Sequence, residues 1–317
     1  MSVYTTLTHA EIAQFLDHYS IGELVDFSPI QAGIENTNYF ITTKNQDEQR
    51  KWVLTLVEFH DNKTTAFAAE LSYFLQAQGL KVAAPIKRKD GLLFADFKNK
   101  PCTIIPCLPG SHLAETSLSS CAQIGEFLGQ FHAATIATEL SFDRRDRDAW
   151  PEQWQDIQEE LSESQNTLVH AVLDEFQQLT GQNLKQSAIH GDLFIDNVLF
   201  HEGQLSGVID FYHATIDYCL YDLAVAADDW CRNETGLDLD KLEAMLSAYQ
   251  AQRPFTEDEK TAWPVFLKAA ALHFWFSRIL TIRWQRKQGA KGVSTKNPAE
   301  RYELLLWLEG QTTALAG

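Results

Sequence analysis

Apolar residues Leu7, Ile12, Phe15, Leu16 and Tyr19 recur near helical spacing, and Thr8 with Glu11 three residues later carries a capping-box signature. The chain is therefore predicted to open on an amphipathic helix. The pattern then shortens to runs of extended type. Phe27 to Ile30 and Tyr39 to Thr43 flank a polar, small-residue turn from Gln31 to Asn38, and Asn45 to Arg50 form a second turn. Trp52 to Val57 is apolar at nearly every position, as in a strand buried on both faces. A helix is predicted from about Thr65 to Leu75, closed by Gly79, followed by strands at Leu92 to Ala95 and Cys102 to Ile105. Past Pro106, Pro109 and Gly110 the periodicity lengthens to helices such as Cys121 to His132, interrupted by an extended segment between Ile189 and Phe211. Residues 1–105 are expected to form a small strand-rich lobe and 106–317 a larger, mainly helical one, with a hinge near 105–110.

The 317 residues are 45% hydrophobic and 22% charged, an ordinary balance for a chain with a buried core. A formal net charge of -17 argues against a nucleic-acid or membrane partner, since phosphate backbones and anionic lipid reward clustered Lys and Arg. Cys102, Cys107, Cys121, Cys219 and Cys231 are odd in number and contain no Cys-x-x-Cys pair, so reduced thiols are expected rather than a disulfide framework or zinc knuckle. The N-terminus lacks a basic stretch and a continuous apolar segment, and no apolar run approaches membrane-spanning length, so a cytoplasmic protein is expected.

Candidate chemistry concentrates in His190-Gly191-Asp192-Leu193-Phe194-Ile195-Asp196-Asn197 and Ile209-Asp210-Phe211. Phosphoryl transfer needs an oriented acceptor hydroxyl, a proton acceptor, and phosphate charge neutralised by magnesium on oxygen ligands. Four residues separate Asp192 from Asn197, the spacing at which a kinase loop places its aspartate at the acceptor and its asparagine at the metal. Asp192 is the expected general base, and Asn197 the first metal ligand. Val198 to Phe200 and Leu205 to Ile209 read as a hairpin that delivers Asp210 as the second. An isolated Asp or Asn in a polar turn usually bonds its own backbone. The joint occurrence of the loop, the gap and the hairpin is what favours a kinase. His190 is assigned to support of the loop. Gly33, Asn36 and Asn38 could present the turn over nucleotide phosphates, and the backbone near Ile105 and Cys107 could meet adenine.

The order of strand-rich lobe, Pro-containing hinge, His-Gly-Asp-x4-Asn and Ile-Asp-Phe resembles the aminoglycoside phosphotransferase and choline kinase superfamily. The resemblance spans nearly the whole chain and implies a two-lobed, protein-kinase-like α+β fold, with an antiparallel sheet in the small lobe and ATP and Mg2+ as cofactors. Gly33-Ile-Glu-Asn-Thr-Asn-Tyr-Phe40, Trp52 to Glu58, Tyr221-Asp-Leu-Ala224, Asp228-Asp-Trp-Cys231 and Phe274-Trp-Phe-Ser-Arg278 resemble the homoserine kinase branch. That resemblance implies transfer of phosphate from ATP to the hydroxyl of L-homoserine, a step of threonine biosynthesis. It also suggests Asp229 for the substrate ammonium, Arg278 for its carboxylate, and Trp230 and Trp275 as aromatic contacts. Thr55 stands where many superfamily members carry a phosphate-binding lysine. The alternatives are another hydroxyl acceptor, such as an amino alcohol, a methylthioribose-type sugar or an aminoglycoside, or a catalytically silent ATP-binding pseudokinase.

Overall fold

A computed structural model describes residues 4–31, 35–138, 140, 142, 146–179, 181–288 and 296–311. The chain divides into two compact units. The first comprises Met1–Ser111 with Leu199–Glu202 and Ser206–His213, the second His112–Val198, Gly203–Leu205 and Ala214–Gly317.

The first unit opens on α1 (His9–Leu16), where Thr8 and Glu11 form both bonds of a capping box and Ile12, Phe15 and Leu16 turn inward. Strands β1 (Glu23–Pro29), β2 (Thr37–Asn45) and β3 (Glu48–Leu56) precede α2 (Asn62–Ala77), and β4 (Ala95–Phe97) and β5 (Lys100–Pro106) follow it. They form an antiparallel sheet in the order β1-β2-β3-β5-β4. Its α1-facing core includes Tyr39, Ile41, Trp52, Leu54 and Ile104, and the Trp52 indole N–H is satisfied by Thr43 Oγ1 at 2.9 Å. Asp61 starts α2 earlier than periodicity predicts by accepting the Thr64 amide at 2.8 Å. The strand predicted at Leu92 begins instead at Ala95. The Leu92 amide bonds Asp90 Oδ1 and its carbonyl accepts the Arg88 amide, so a local turn consumes the groups a ladder would need.

The first unit runs on to Ser111 rather than ending at 105, and it recovers a later piece of chain. Ser111 exchanges backbone hydrogen bonds with Phe200, and Val208 bonds Lys81 and Ala83 in the same way. These bonds bring the hairpin β7 (Val198–His201) and β8 (Gln204–Val208), with Asp210 beyond it, largely into the first unit.

The second unit contains α3 (Leu118–Ile136), α4 (Trp150–Ile157), α5 (Glu163–Gln178), β6 (Gln186–Ile189), β9 (Thr215–Tyr218), α6 (Cys219–Trp230), α7 (Leu239–Gln252), α8 (Glu257–Gln288) and α9 (Pro298–Glu309). Helix α3 lies so close to α7 that a Cβ on Gly125 would come 2.0 Å from the Met245 carbonyl oxygen. Helix α6, apolar around most of its circumference, is buried except at Asp229. β6 pairs antiparallel with β9, so a two-stranded ribbon sets the start of the His-Gly-Asp loop.

Contrary to the sequence expectation, α8 holds a stretch apolar and long enough to cross a membrane, with mean hydropathy 1.4. That stretch is 56% buried within the fold. Lys268 pairs with Glu175 and Glu309, and Arg283 with Glu160. These features are those of a core helix with a polar flank.

Candidate functional site

The His-Gly-Asp loop leaves β6 through Gly191 at φ +79°, a left-handed conformation that a side chain would strain. The turn is held from beneath. Asp222, in the first turn of α6, accepts the His190 and Gly191 amides, each at 2.8 Å. The Asp192 amide points at His190 Nδ1 at 3.3 Å, and the His190 side chain is fully buried.

Asp192 and Asn197 are brought together within this loop. Asn197 Nδ2 donates to Asp192 Oδ2 at 3.0 Å and to the Asp192 carbonyl at 2.8 Å. Committing its amide nitrogen to Asp192 leaves the other end of the Asn197 amide, an oxygen, to face a cation. Helix α6 clamps the far side of the loop, where Asp229 Oδ2 accepts the Ile195 amide at 3.0 Å and Trp230 gives its indole N–H to the Leu193 carbonyl at 2.9 Å.

Sequence reasoning missed the support behind Asp222. His132 on α3 places Nε2 3.1 Å from Asp222 Oδ2 and Nδ1 2.8 Å from the Tyr249 hydroxyl, all within the buried core. Burial pushes Asp222 upward, but hydrogen bonds, chiefly from His132 and also from the His190 amide, outweigh it and hold the carboxyl below its ordinary value. Desolvation, in turn, lowers the His132 imidazole. The pair thus rests as carboxylate and neutral imidazole, with Nε2–H donating to Asp222 and Nδ1 accepting from Tyr249. The partners lie 90 and 117 residues from His132 in the chain, too far for a local pattern to reveal. The one available signal was the Tyr221-Asp-Leu-Ala string, which carries no role by itself.

Two aromatic assignments are corrected. Trp230 is 0% exposed and Trp275 is 3% exposed and packed on Tyr302, so both lack open surface for a substrate and act as packing and loop-bracing residues. Asp229 keeps a partly exposed carboxylate, but Arg301 as well as Ile195 engages it, with Arg301 Nη2 at 3.1 Å from Oδ1. Arg278 Nη1 donates to the Asn297 carbonyl at 2.6 Å and to Glu300 Oε2 at 2.9 Å. Next to Asp229, Asp228 is fully buried, and neither of its carboxylate oxygens has a hydrogen-bond partner among the described residues. Burial, only partly offset by Arg301 and Arg232, pushes its carboxyl up to about 7.

In the first unit, Asp210 ends the hairpin at φ +65°, and its Oδ1 is buried without a hydrogen-bond partner among the described residues. Burial raises its carboxyl, with His213 opposing the shift. A buried carboxylate oxygen without a donor, presented by a strained backbone, fits a hard cation, for which carboxylate and amide oxygens are the ordinary ligands.

The residues expected at the nucleotide are distributed through the first unit. Gly33 lies outside the described residues. Asn36 Oδ1 accepts the Glu58 amide at 3.2 Å, and Asn38 Oδ1 accepts the Thr55 hydroxyl at 2.7 Å across the β2–β3 register. Thr55 therefore braces Asn38 at the start of β2 instead of supplying a cation. The cation paired with Glu58 is Lys100, which also reaches Thr5. Ile105 lies at the end of β5, and the Cys107 amide donates to the Lys51 carbonyl at 3.1 Å.

Comparison with known proteins adds an independent line. Residues 26–256 match the model of the phosphotransferase enzyme family. The homoserine kinase of Methylobacillus flagellatus is 35% identical over 301 residues, covering 94% of this chain and 92% of that one. The homoserine kinase of Ralstonia nicotianae is 39% identical, covering 88% and 87%. Among solved structures, the amicoumacin kinase hAmiN, in complex with AMP-PNP, Ca2+ and Ami, superimposes with a TM-score of 0.70 at 15% identity, covering 96% and 92%. Choline kinase LicA from Streptococcus pneumoniae superimposes with a TM-score of 0.65 at 16% identity, covering 96% and 100%. The antiparallel-sheet unit and the helical unit are thus those of a protein-kinase-like fold.

Proposed function

The chain belongs to the phosphotransferase enzyme family and, within it, to the homoserine kinases, and from that premise we propose that it transfers the γ-phosphoryl group of ATP to the hydroxyl of L-homoserine, giving O-phospho-L-homoserine. The observation that carries this reading is identity of 35% and 39% to homoserine kinases across about nine tenths of the chain.

In this mechanism Asp192 receives the acceptor hydroxyl, orients it toward the γ-phosphorus and takes its proton as the new O–P bond forms and the bond from the γ-phosphorus to the bridging oxygen breaks, releasing ADP. Asn197 fixes the Asp192 carboxylate from one side, and Asp222 fixes the backbone that carries it. Asn197 and Asp210 are the residues that would hold Mg2+. Bound there, the ion neutralises phosphate charge. The segment at Asn36 and Asn38 covers the phosphates, and backbone at Ile105 and Cys107 receives the adenine. Asp229 takes the substrate ammonium on its exposed edge. Arg278 exchanges Glu300 for the substrate carboxylate, a planar partner that a guanidinium fork can bind at two points. Threonine biosynthesis in the cytoplasm is the corresponding cellular setting.

The test is a coupled ADP-release assay with L-homoserine, choline, a methylthioribose and an aminoglycoside as acceptors, with the product identified by phosphorus NMR. Selective turnover of L-homoserine to a phosphomonoester is expected. Preference for any other acceptor refutes the substrate, and ATP binding without turnover of any acceptor refutes the kinase.

A further inference from the structure

Three ligating side chains converge in the first unit. Glu35 precedes β2, His60 lies between β3 and α2, and His213 follows Ile209-Asp210-Phe211. His213 Nε2 stands 3.1 Å and His60 Nε2 3.5 Å from the same atom, Glu35 Oε2. The three potential ligand atoms lie within 4.8 Å of one another.

We infer that Glu35, His60 and His213 form a binding site for a divalent transition metal, with zinc the best-fitting ion. Zinc bonds of about 2.0–2.1 Å at tetrahedral angles separate adjacent ligand atoms by roughly 3.3–3.4 Å. The two separations at Glu35 Oε2 bracket that edge, so closure needs only small side-chain adjustments. Ring orientation is already restricted. The His60 ring lies nearly parallel to Tyr212, 14° between planes, and perpendicular to His213 at 90°.

The donor set selects the ion. Two imidazole nitrogens and one carboxylate suit zinc and its transition-metal neighbours, whereas magnesium prefers oxygens. This separates the cluster from the oxygen ligands proposed at Asn197 and Asp210. The side chains of His60, His213 and Glu35 are 13%, 26% and 45% exposed, so solvent can enter and supply a fourth ligand. An ion held there would tie the turn before β2 to the start of α2 and to the segment after Asp210. The inference depends on neither the acceptor nor the phosphoryl transfer.

The test uses the metal-stripped full-length chain, titrated with Zn2+ against a chromophoric chelator and with Co2+ by absorption spectroscopy. One equivalent is expected, with cobalt d–d bands of a nitrogen and oxygen site and no sulfur-to-cobalt charge transfer. His60→Asn and His213→Asn should each weaken binding at least about tenfold, the least expected from losing a ligand when outer-shell changes alone cost that much. Glu35→Gln preserves side-chain size and both imidazoles, and it decides the case if a histidine variant fails to fold. Absence of saturable binding, affinity unchanged in the folded variants, or a sulfur-derived band from the cysteines would each overturn the inference.

Discussion

Asn197 donates its side-chain amide to Asp192 Oδ2 at 3.0 Å, so the expected metal ligand also fixes the expected base. Replacing Asp192 by Ala removes the proton acceptor while leaving the first unit intact. Turnover is predicted to fall at least about 100-fold, the lower range for loss of a general base. Nucleotide affinity, measured by calorimetry, should be nearly unchanged. Near-normal turnover in Asp192→Ala would remove this residue from the mechanism.

Asp210 makes a contrasting prediction, because its buried Oδ1 lacks a donor among the described residues and its carboxyl is raised by burial. Asp210→Asn should abolish the magnesium dependence of ATP binding and reduce turnover strongly. It should also keep or raise the melting temperature of the magnesium-free protein, since a poorly solvated charge has been removed. Chelation of divalent ions from the wild-type chain should reproduce the loss of turnover. A variant that is active but unstable contradicts both parts.

The Asp222 carboxylate accepts two loop amides and faces neutral His132. Asp222→Asn is expected to cost about 3–5 kcal/mol at neutral pH, the range for breaking a buried charged network. It should also lower kcat by disturbing the Asp192 loop. Because the folded carboxyl is held below its ordinary value, its contribution is present above that value and disappears as pH falls through the folded one. Denaturant titrations across the acid range should therefore show wild type and variant converging as pH falls. A constant difference would show that charge is not what Asp222 contributes.

Asp228 titrates in the opposite sense. Its folded carboxyl is raised to about 7, so between an ordinary carboxylate value and that point the folded state holds a proton the unfolded state has lost. Stability contributed by this group is therefore full at acid pH and declines as pH rises toward 7. Asp228→Asn should melt increasingly above wild type from pH 5 to pH 8. Equal melting-temperature differences at both ends would eliminate the buried proton.

Arg278 tests the proposed acceptor contacts. Arg278→Lys preserves charge but loses the planar fork, so the KM for L-homoserine should rise about tenfold, roughly 1.4 kcal/mol, with a much smaller change in kcat. Steady-state kinetics at saturating ATP read this directly. Unchanged KM would assign Arg278 to its bonds with Glu300 and Asn297 alone.

Local signals were enough where function and fold depend on neighbours in sequence. Thr8 and Glu11 carry their helix cap on their own side chains, and extended runs between Phe27 and Ile105 marked the strands of the first unit, apart from the one that begins at Ala95 instead of Leu92. The loop from His190 to Asn197 was readable because its turn requires Gly191 at positive φ and its side chains meet within a few residues. Contacts set by tertiary packing were not readable. The resemblance placed Trp230 and Trp275 against substrate, yet neighbouring helices leave them in the core.

The amino-acid order alone determined the local chemistry: an expected base and an amide with four residues between them, a carboxylate after a hairpin, and a net charge unfavourable to polyanions. Only the tertiary structure decided what holds these groups in place. Asp222 holds the loop through the His190 and Gly191 backbone amides, which no side-chain pattern encodes, and is itself braced by His132, 90 residues away. It also decided that Glu35, His60 and His213 share one small volume, since sheet pairing and helix placement bring together segments distant along the chain. Sequence periodicity constrains which face of an element is buried, but the partner on that face is chosen by the packing of the whole unit.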